Sequence, residues 1–225
     1  PTVINNVETL ANLADIVLHG AEWFRSTGSV STPGTKLVSL AGAVRQPGLY
    51  EVPLGTPLRT IVDEYGAGAR SELTAVMVGG PSGSILPAAL LDTAFDVQSL
   101  QAVGGVLGAG GIVPLGVGQC VVAAVRETVA YNSRESCGKC TPCREGTARM
   151  LGAFDELRVG RAQSDVLETV AELNDILAYA SLCGLGQMAP NPVRALLRHF
   201  PEDVREHLAG RCAAGVCVPT RNGVV

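Results

Sequence analysis

Two strands and the turn between them are written in Lys36-Leu-Val-Ser-Leu-Ala-Gly-Ala-Val-Arg-Gln-Pro-Gly-Leu-Tyr-Glu-Val52. Lys36 to Ala41 carries the apolar, β-favouring character of a strand, Arg45-Gln-Pro-Gly48 is a turn, and Leu49 to Val52 returns as a second strand. Downstream, Pro57 opens a short helix through Leu58, Ile61, Val62 and Tyr65, because proline is favoured in a helix's first turn. Leu73 to Val78 reads as a further strand. Strand, turn, strand, helix and strand within about 45 residues suit a small α+β unit of β-grasp type. Upstream, Pro1 to Ile4 is extended and a helix runs from about Glu8 to Phe24, with Leu10, Leu13, Ile16, Val17 and Phe24 on one apolar face. Ser29 to Gly34 is a linker.

Beyond the strands, Val97 to Val125 contains no charged residue and is long enough to span a bilayer. Its seven glycines, Pro114 and three glutamines break any sustained helical period, so it reads as a buried, Gly-rich turn-and-strand region. From about Gln119 the pattern becomes helical. Helices are expected over Val121–Tyr131, about Glu145–Leu157, about Asp165–Ala180, and after Asn191-Pro192. Thr147, Met150, Leu151, Phe154 and Leu157 share one face of the second. Val166, Leu167, Val170, Leu173, Ile176 and Leu177 form the stripe of the third, and Asp165 with Glu168 resembles a capping box. Val193, Leu196, Leu197 and Phe200 follow at helical spacing after an Asn-Pro cap. Four helices with short connections make a bundle. The expected division is 1–35 as the end of a preceding domain plus linker, 36–118 as the β-grasp domain, and 119–225 as the helical domain.

Composition narrows the chemistry. With 47% apolar residues the 225-residue chain can bury a sizeable core, which excludes disorder. A net charge of −4 and 4% aromatic content argue against a nucleic-acid surface. No charged and apolar leader opens the chain, so its seven cysteines are expected in a reducing, cytoplasmic setting, where clustered thiols signal metal or redox work. The chain opens on Pro1, as the interior of a longer protein would.

The chemistry concentrates at Cys137-Gly-Lys-Cys140-Thr-Pro-Cys143. Two-residue gaps turn three thiolates toward one centre, as in the C-x2-C-x2-C run that supplies three ligands to a [4Fe–4S] cluster. Position 147 is Thr, so the fourth ligand comes from Cys183, Cys212, Cys217 or Cys120. Cys183 is favoured, because it lies in a Gly-rich turn just past the Asp165–Ala180 helix. Lys139, Arg144 and the loop amides can offset the charge of a tetrathiolate site. The bland alternative is a zinc site with four cysteines, but zinc knots more often show two C-x2-C pairs.

Other signals are weaker. Cys212 and Cys217 are a redox pair, free thiols or small core residues; Cys120 reads as core. His19, His199 and His207 lack ligand spacing and are expected in surface or helix-end roles. Gly184-Leu-Gly-Gln-Met-Ala189 follows a cysteine and no strand, so the dinucleotide context fails. Gly79-Gly-Pro-Ser-Gly83 reads as a turn. Asn5 and Asn6, with Glu8 and Thr9, sit at a strand-to-helix junction, where helix amides can cap or bind phosphate. No side chain stands out as a catalytic acid, base or nucleophile.

Glu135-Ser-Cys-Gly-Lys-Cys-Thr-Pro-Cys-Arg-Glu-Gly-Thr147 and Ser181-Leu-Cys-Gly-Leu-Gly-Gln187 resemble the NADH-binding flavoprotein subunit of respiratory complex I. The likeness is closer to diaphorase subunits of NAD-dependent formate dehydrogenases and NAD-reducing hydrogenases, which Ala189-Pro-Asn-Pro-Val193 and Cys212 to Cys217 also fit. Pro1 to Leu10 and Gly79 to Gly83 match as well. The resemblance implies a soluble-ligand-binding β-grasp domain followed by a four-helix iron–sulfur domain. It also implies Cys137, Cys140, Cys143 and Cys183 as [4Fe–4S] ligands, and Asn5, Asn6 and Thr9 as contacts to the FMN phosphate. Most of the FMN and NAD(H) site belongs, in that family, to a preceding glycine-rich domain that these residues do not include; a C-terminal ferredoxin extension found in some relatives is likewise not among them. Met188 stands where the family has Thr. The implied activity is electron transfer from FMN through the cluster to an iron–sulfur partner subunit, with no membrane insertion. The rival reading is a non-catalytic interaction module with a structural four-cysteine metal site.

Overall fold

The computed structural model describes residues 1–163 and 165–217; residue 164 and the end of the expected helical domain, 218–225, lie outside the described residues. In order the elements are α1 (Val7–Arg25), β1 (Thr35–Leu40), β2 (Gly48–Pro53), α2 (Leu58–Thr60, continuing as a π turn to Tyr65), β3 (Leu73–Val78) and β4 (Ser84–Pro87). There follow α3 (Val97–Ala102), β5 (Gly111–Gly116), α4 (Val121–Glu135), α5 (Thr141–Arg158), α6 (Val166–Ala180), α7 (Gly184–Met188), α8 (Asn191–His199) and α9 (Pro201–Leu208). The chain is a mixed α/β structure around one open five-stranded sheet, ordered β2-β1-β5-β3-β4.

The hairpin of β1 and β2 forms as expected, with Leu40 opposite Gly48 and Thr35 opposite Pro53. β5 then inserts between the two hairpins, parallel to β1 and antiparallel to β3. Alternation along the central strands divides the apolar residues between two cores. Val38, Val76, Val78, Leu86 and Ile112 meet α2, Phe95 and Leu100 on one face. Ala75, Ile85 and Leu115 meet α4, α5, α6 and α8 on the other, where Met150, Phe154, Leu173 and Leu196 are buried. Strand β4 was not anticipated: Ser-Ile-Leu-Pro faces both cores and so shows no apolar–polar alternation. The uncharged 97–125 stretch resolves into α3, a loop, β5 and the start of α4. Among the described residues no helix is long and apolar enough to cross a membrane.

Several local expectations are corrected. Asp165 sits in a helical rather than extended conformation (ψ −1°), so its carboxylate makes no cap bond and the capping box does not form. Ile176 points outward, and the buried stripe of α6 is Val166, Val170, Leu173, Asn174 and Leu177. Asn191 is already inside α8; its amide instead donates to the Ser82 carbonyl at 3.1 Å, pinning the 79–83 turn. The apolar face of α1 exists, but none of its residues is buried, and the helix kinks at Gly20.

Candidate metal centre

The cysteine loop joins two helices. α4 ends at Glu135, Ser136 is extended, and Gly138 takes φ +75°, a left-handed turn in which a side chain would be strained. Cys140 is the N-cap residue of α5, Pro142 occupies its first turn, and Cys143 lies one residue further in. Arg144 closes the loop, donating from Nη1 to the Gly138 carbonyl at 2.6 Å. Cys183 occupies the equivalent N-cap position of α7. The loop and the α7 turn adjoin closely. A Cβ built on Gly186 would lie 3.1 Å from the Cys143 Cβ and 2.6 Å from the Ser181 Cβ.

Donors surround these sulfurs. Backbone N–H groups of Leu182 and Cys143 point at the Cys140 sulfur and lower its thiol pKa, with Arg144 adding a smaller attraction. The Ser136 hydroxyl lies 3.2 Å from the Cys143 Sγ. Neither α5 nor α7 has a side-chain cap, so first-turn N–H groups of two helices open toward the thiols. Ser181 Oγ, buried beside them, has no hydrogen-bond partner among the described residues. Such N–H and O–H donors are the environment that holds and tunes an anionic iron–sulfur centre. The thiols of Cys140 and Cys143, set among these donors, fit an anionic iron–sulfur centre.

Asn5, Asn6 and Thr9 are exposed at the start of α1. Asn6 is the N-cap, its Oδ1 accepting from the Glu8 N–H at 2.9 Å. Glu8 fastens this end to the sheet through Lys36 and the Leu37 N–H. Burial alone would raise the Glu8 pKa, but those two bonds outweigh it and hold the carboxyl below its ordinary value. A cleft of about 520 Å³ runs from Asn6 past the Gly79–Ser82 turn to Asn132, Gly184 and Met188. It places the α1 cap on one side and the helix opened by Cys183 on the other. Asn132 shapes the wall, donating to the Pro81 carbonyl and bonding Ser82 Oγ, both at 3.1 Å.

One group of ligand-type side chains is not evident from the sequence. Cys120, His207, Cys212 and Cys217 present their ligand atoms within 4.8 Å of one another. His207 is not a surface histidine, since only 1% of it is exposed, and Cys120 is more than core filler. Burial and the neighbouring Cys120 and Cys212 thiols push the Cys217 pKa well upward. The signal available was the even spacing His207-x4-Cys212-x4-Cys217; its fourth member lies 87 residues before His207.

The family described as NADH-ubiquinone oxidoreductase-F iron–sulfur binding region matches residues 123–207, which include the cysteine loop and Cys183. Residues 123–207 belong to that family. The wider chain is homologous to its subunits. It is 38% identical over 220 residues to the NADP-reducing hydrogenase subunit HndC of Solidesulfovibrio fructosivorans, covering 96% of this chain and 45% of that protein. It is 40% identical over 212 residues to the F subunit of NADH-quinone oxidoreductase of Mycobacterium bovis, covering 93% of this chain and 47% of the relative. A crystal structure of an NAD+-reducing [NiFe]-hydrogenase in the H2-reduced state superposes with a TM-score of 0.83 at 38% identity, over 92% of this chain and 35% of that one. The chain thus spans about half the length, or less, of the relatives it matches.

Proposed function

We propose that this F-type chain is the electron-transfer portion of an NADH:acceptor oxidoreductase, passing electrons from FMN to a [4Fe–4S] cluster and on to an iron–sulfur partner subunit. The observation that supports this is the placement of Cys140 and Cys183 as the residues that open α5 and α7, with Cys143 against Gly186 of α7, beside a cleft that reaches Asn6. In this reading the four thiolates hold the cluster. Bound there, the cluster supplies a one-electron relay between the flavin and the partner's acceptor.

The chain's own residues do the rest. Ser136 and the Leu182 N–H donate to the ligand sulfurs, which stabilises added negative charge. Phe154, Met150 and Leu177 pack the bundle behind the site and exclude water. Asn5, Asn6 and Thr9, at the positive end of α1, are assigned to the flavin phosphate. Residues 36–118 serve as a soluble-ligand-binding β-grasp unit and 119–225 as a four-helix iron–sulfur unit, with 1–35 completing the flavin side. The exposed Leu10, Leu13 and Val17 of α1 suit a contact with the flavin-bearing half that full-length relatives possess.

Anaerobic purification with iron, sulfide and zinc analysis tests the reading. About four irons per chain and an EPR signal on reduction are expected, lost in Cys183→Ser. Zinc at Cys137–Cys183 without iron would instead establish the structural-knot alternative. NADH–dye turnover by these 225 residues alone would refute the assignment of hydride chemistry to another segment.

A further inference from the structure

Outside the iron–sulfur loop, the most chemically specific feature is the group at the opposite end of α4. Cys120 opens that helix, His207 lies in the last turn of α9, and Cys212 and Cys217 sit in the segment that follows. Fifteen helical residues, about 22 Å at 1.5 Å each, separate Cys120 from the start of the cysteine loop. The two sets of thiols are therefore distinct. Cys120, Cys212 and Cys217 also lie outside residues 123–207, so the family match does not account for them.

We propose that Cys120, His207, Cys212 and Cys217 form a second, mononuclear metal site that binds one zinc ion with three thiolates and one imidazole. Four soft or borderline ligand atoms within 4.8 Å match a single tetrahedral ion, whose S···S edge is about 3.8 Å and S···N edge about 3.6 Å. Cys120 Sγ and His207 Nε2 already stand 3.3 Å apart. The histidine is set in the ligating tautomer. Its Nδ1 lies 2.6 Å from the Asp203 carbonyl, which can only accept, so Nδ1 carries the proton and the Nε2 lone pair faces the sulfurs. A carbonyl on the far ring nitrogen is the usual partner of a metal-bound histidine. The Ala123 N–H points at Cys120 Sγ at 3.5 Å, at the positive end of a long helix, which favours a thiolate there.

The fold explains how the residues arrive. Gly210 and Gly215 both take left-handed conformations, and the Gly215 N–H bonds the Cys212 carbonyl at 2.9 Å, so the segment after α9 doubles back over Cys120. All four protein ligands are supplied, leaving no open position, which marks a structural rather than a catalytic ion. The ion would clip residues 212–217 to α9 and to the start of α4, just after β5.

Metal analysis of the protein purified without chelator tests this independently of the cluster. One zinc per chain is expected in the native protein and in Cys183→Ser, which loses iron only. Cys212→Ala/Cys217→Ala is expected to lose at least fivefold of the zinc while keeping iron and sulfide. Cobalt substitution of the unaltered chain should give thiolate-to-cobalt charge transfer with tetrahedral d–d bands. Zinc-edge absorption should give three sulfurs near 2.3 Å and one nitrogen near 2.0–2.1 Å. Absence of zinc and cobalt binding in the native chain, zinc retained by the double variant, or a Cys212–Cys217 disulfide in the purified protein each overturns the proposal.

Discussion

Gly186→Ala and Gly152→Ala are the same substitution in two helices, and the structure predicts opposite signs. Alanine is favoured over glycine in a helix by about 1 kcal/mol. At Gly152, on the exposed side of α5, an added Cβ meets nothing within 4 Å, so the full gain is available. For a chain of this size that is a rise in Tm of ~2–4 °C. At Gly186 the Cβ would fall 2.4 Å from Ser181 Oγ, 2.6 Å from Ser181 Cβ and 3.1 Å from Cys143 Cβ. A rotamer change of Ser181 relieves only the first, because its Cβ is fixed by the backbone. Overpacking costs about 1–3 kcal/mol, and an approach of 2.6 Å to a fixed Cβ puts this site in the upper part of that range, about 2–3 kcal/mol, which leaves a net loss of ~1–2 kcal/mol. Because α7 is only five residues long, it yields by moving as a body and takes Cys183 with it. Gly186→Ala is therefore expected to lower Tm by ~2–8 °C and to lower bound iron. Adding Ser181→Gly should recover part of both. Thermal unfolding followed by circular dichroism, with iron per chain measured on the same samples, decides it. A Gly186→Ala protein that gains stability like Gly152→Ala and keeps its iron would refute the close approach of α7 to the loop.

Phe154 is 1% exposed at the centre of the helical core, and Phe154→Ala is expected to cost about 3–5 kcal/mol in urea unfolding with an unchanged m value. Asn132→Ala strips partners from the Pro81 carbonyl and Ser82 Oγ; a loss of about 1–3 kcal/mol is expected, with faster amide exchange across the 79–83 turn. Glu8 has a depressed pKa in the fold, so its stabilisation is complete above the ordinary value of 4.5 and disappears as pH falls through the lower folded value. Glu8→Gln should therefore be less stable than the native chain at pH 7, and the difference should shrink progressively as pH falls below 4.5. A difference independent of pH would show that the carboxylate is not the source.

Strand β3 could be read to the residue, and β1 and β2 to within one, because their apolar content and flanking turn residues are local properties. The same logic missed β4, whose two faces enter two cores. It also overextended the α6 stripe to Ile176, since periodicity locates an apolar side but not the width that neighbours cover. The C-x2-C-x2-C loop stands out in the sequence because three cysteines fall within seven residues. Proposing Cys183 as their fourth partner needed one further inference, that α6 ends beside the start of α5.

Local spacing, then, determined the hairpin, the longer helices and the cysteine loop, since turns, helical faces and short cysteine motifs depend on neighbours a few residues apart, but not α3, α7 or α9. Tertiary structure alone decided what depends on distant contacts. It left the apolar face of α1 uncovered, placed Asn6 and the Cys183 helix on one cleft, and turned His207 inward. It also brought Cys120 to Cys212 and Cys217 across some ninety residues, because the segment after α9 folds back onto the start of α4.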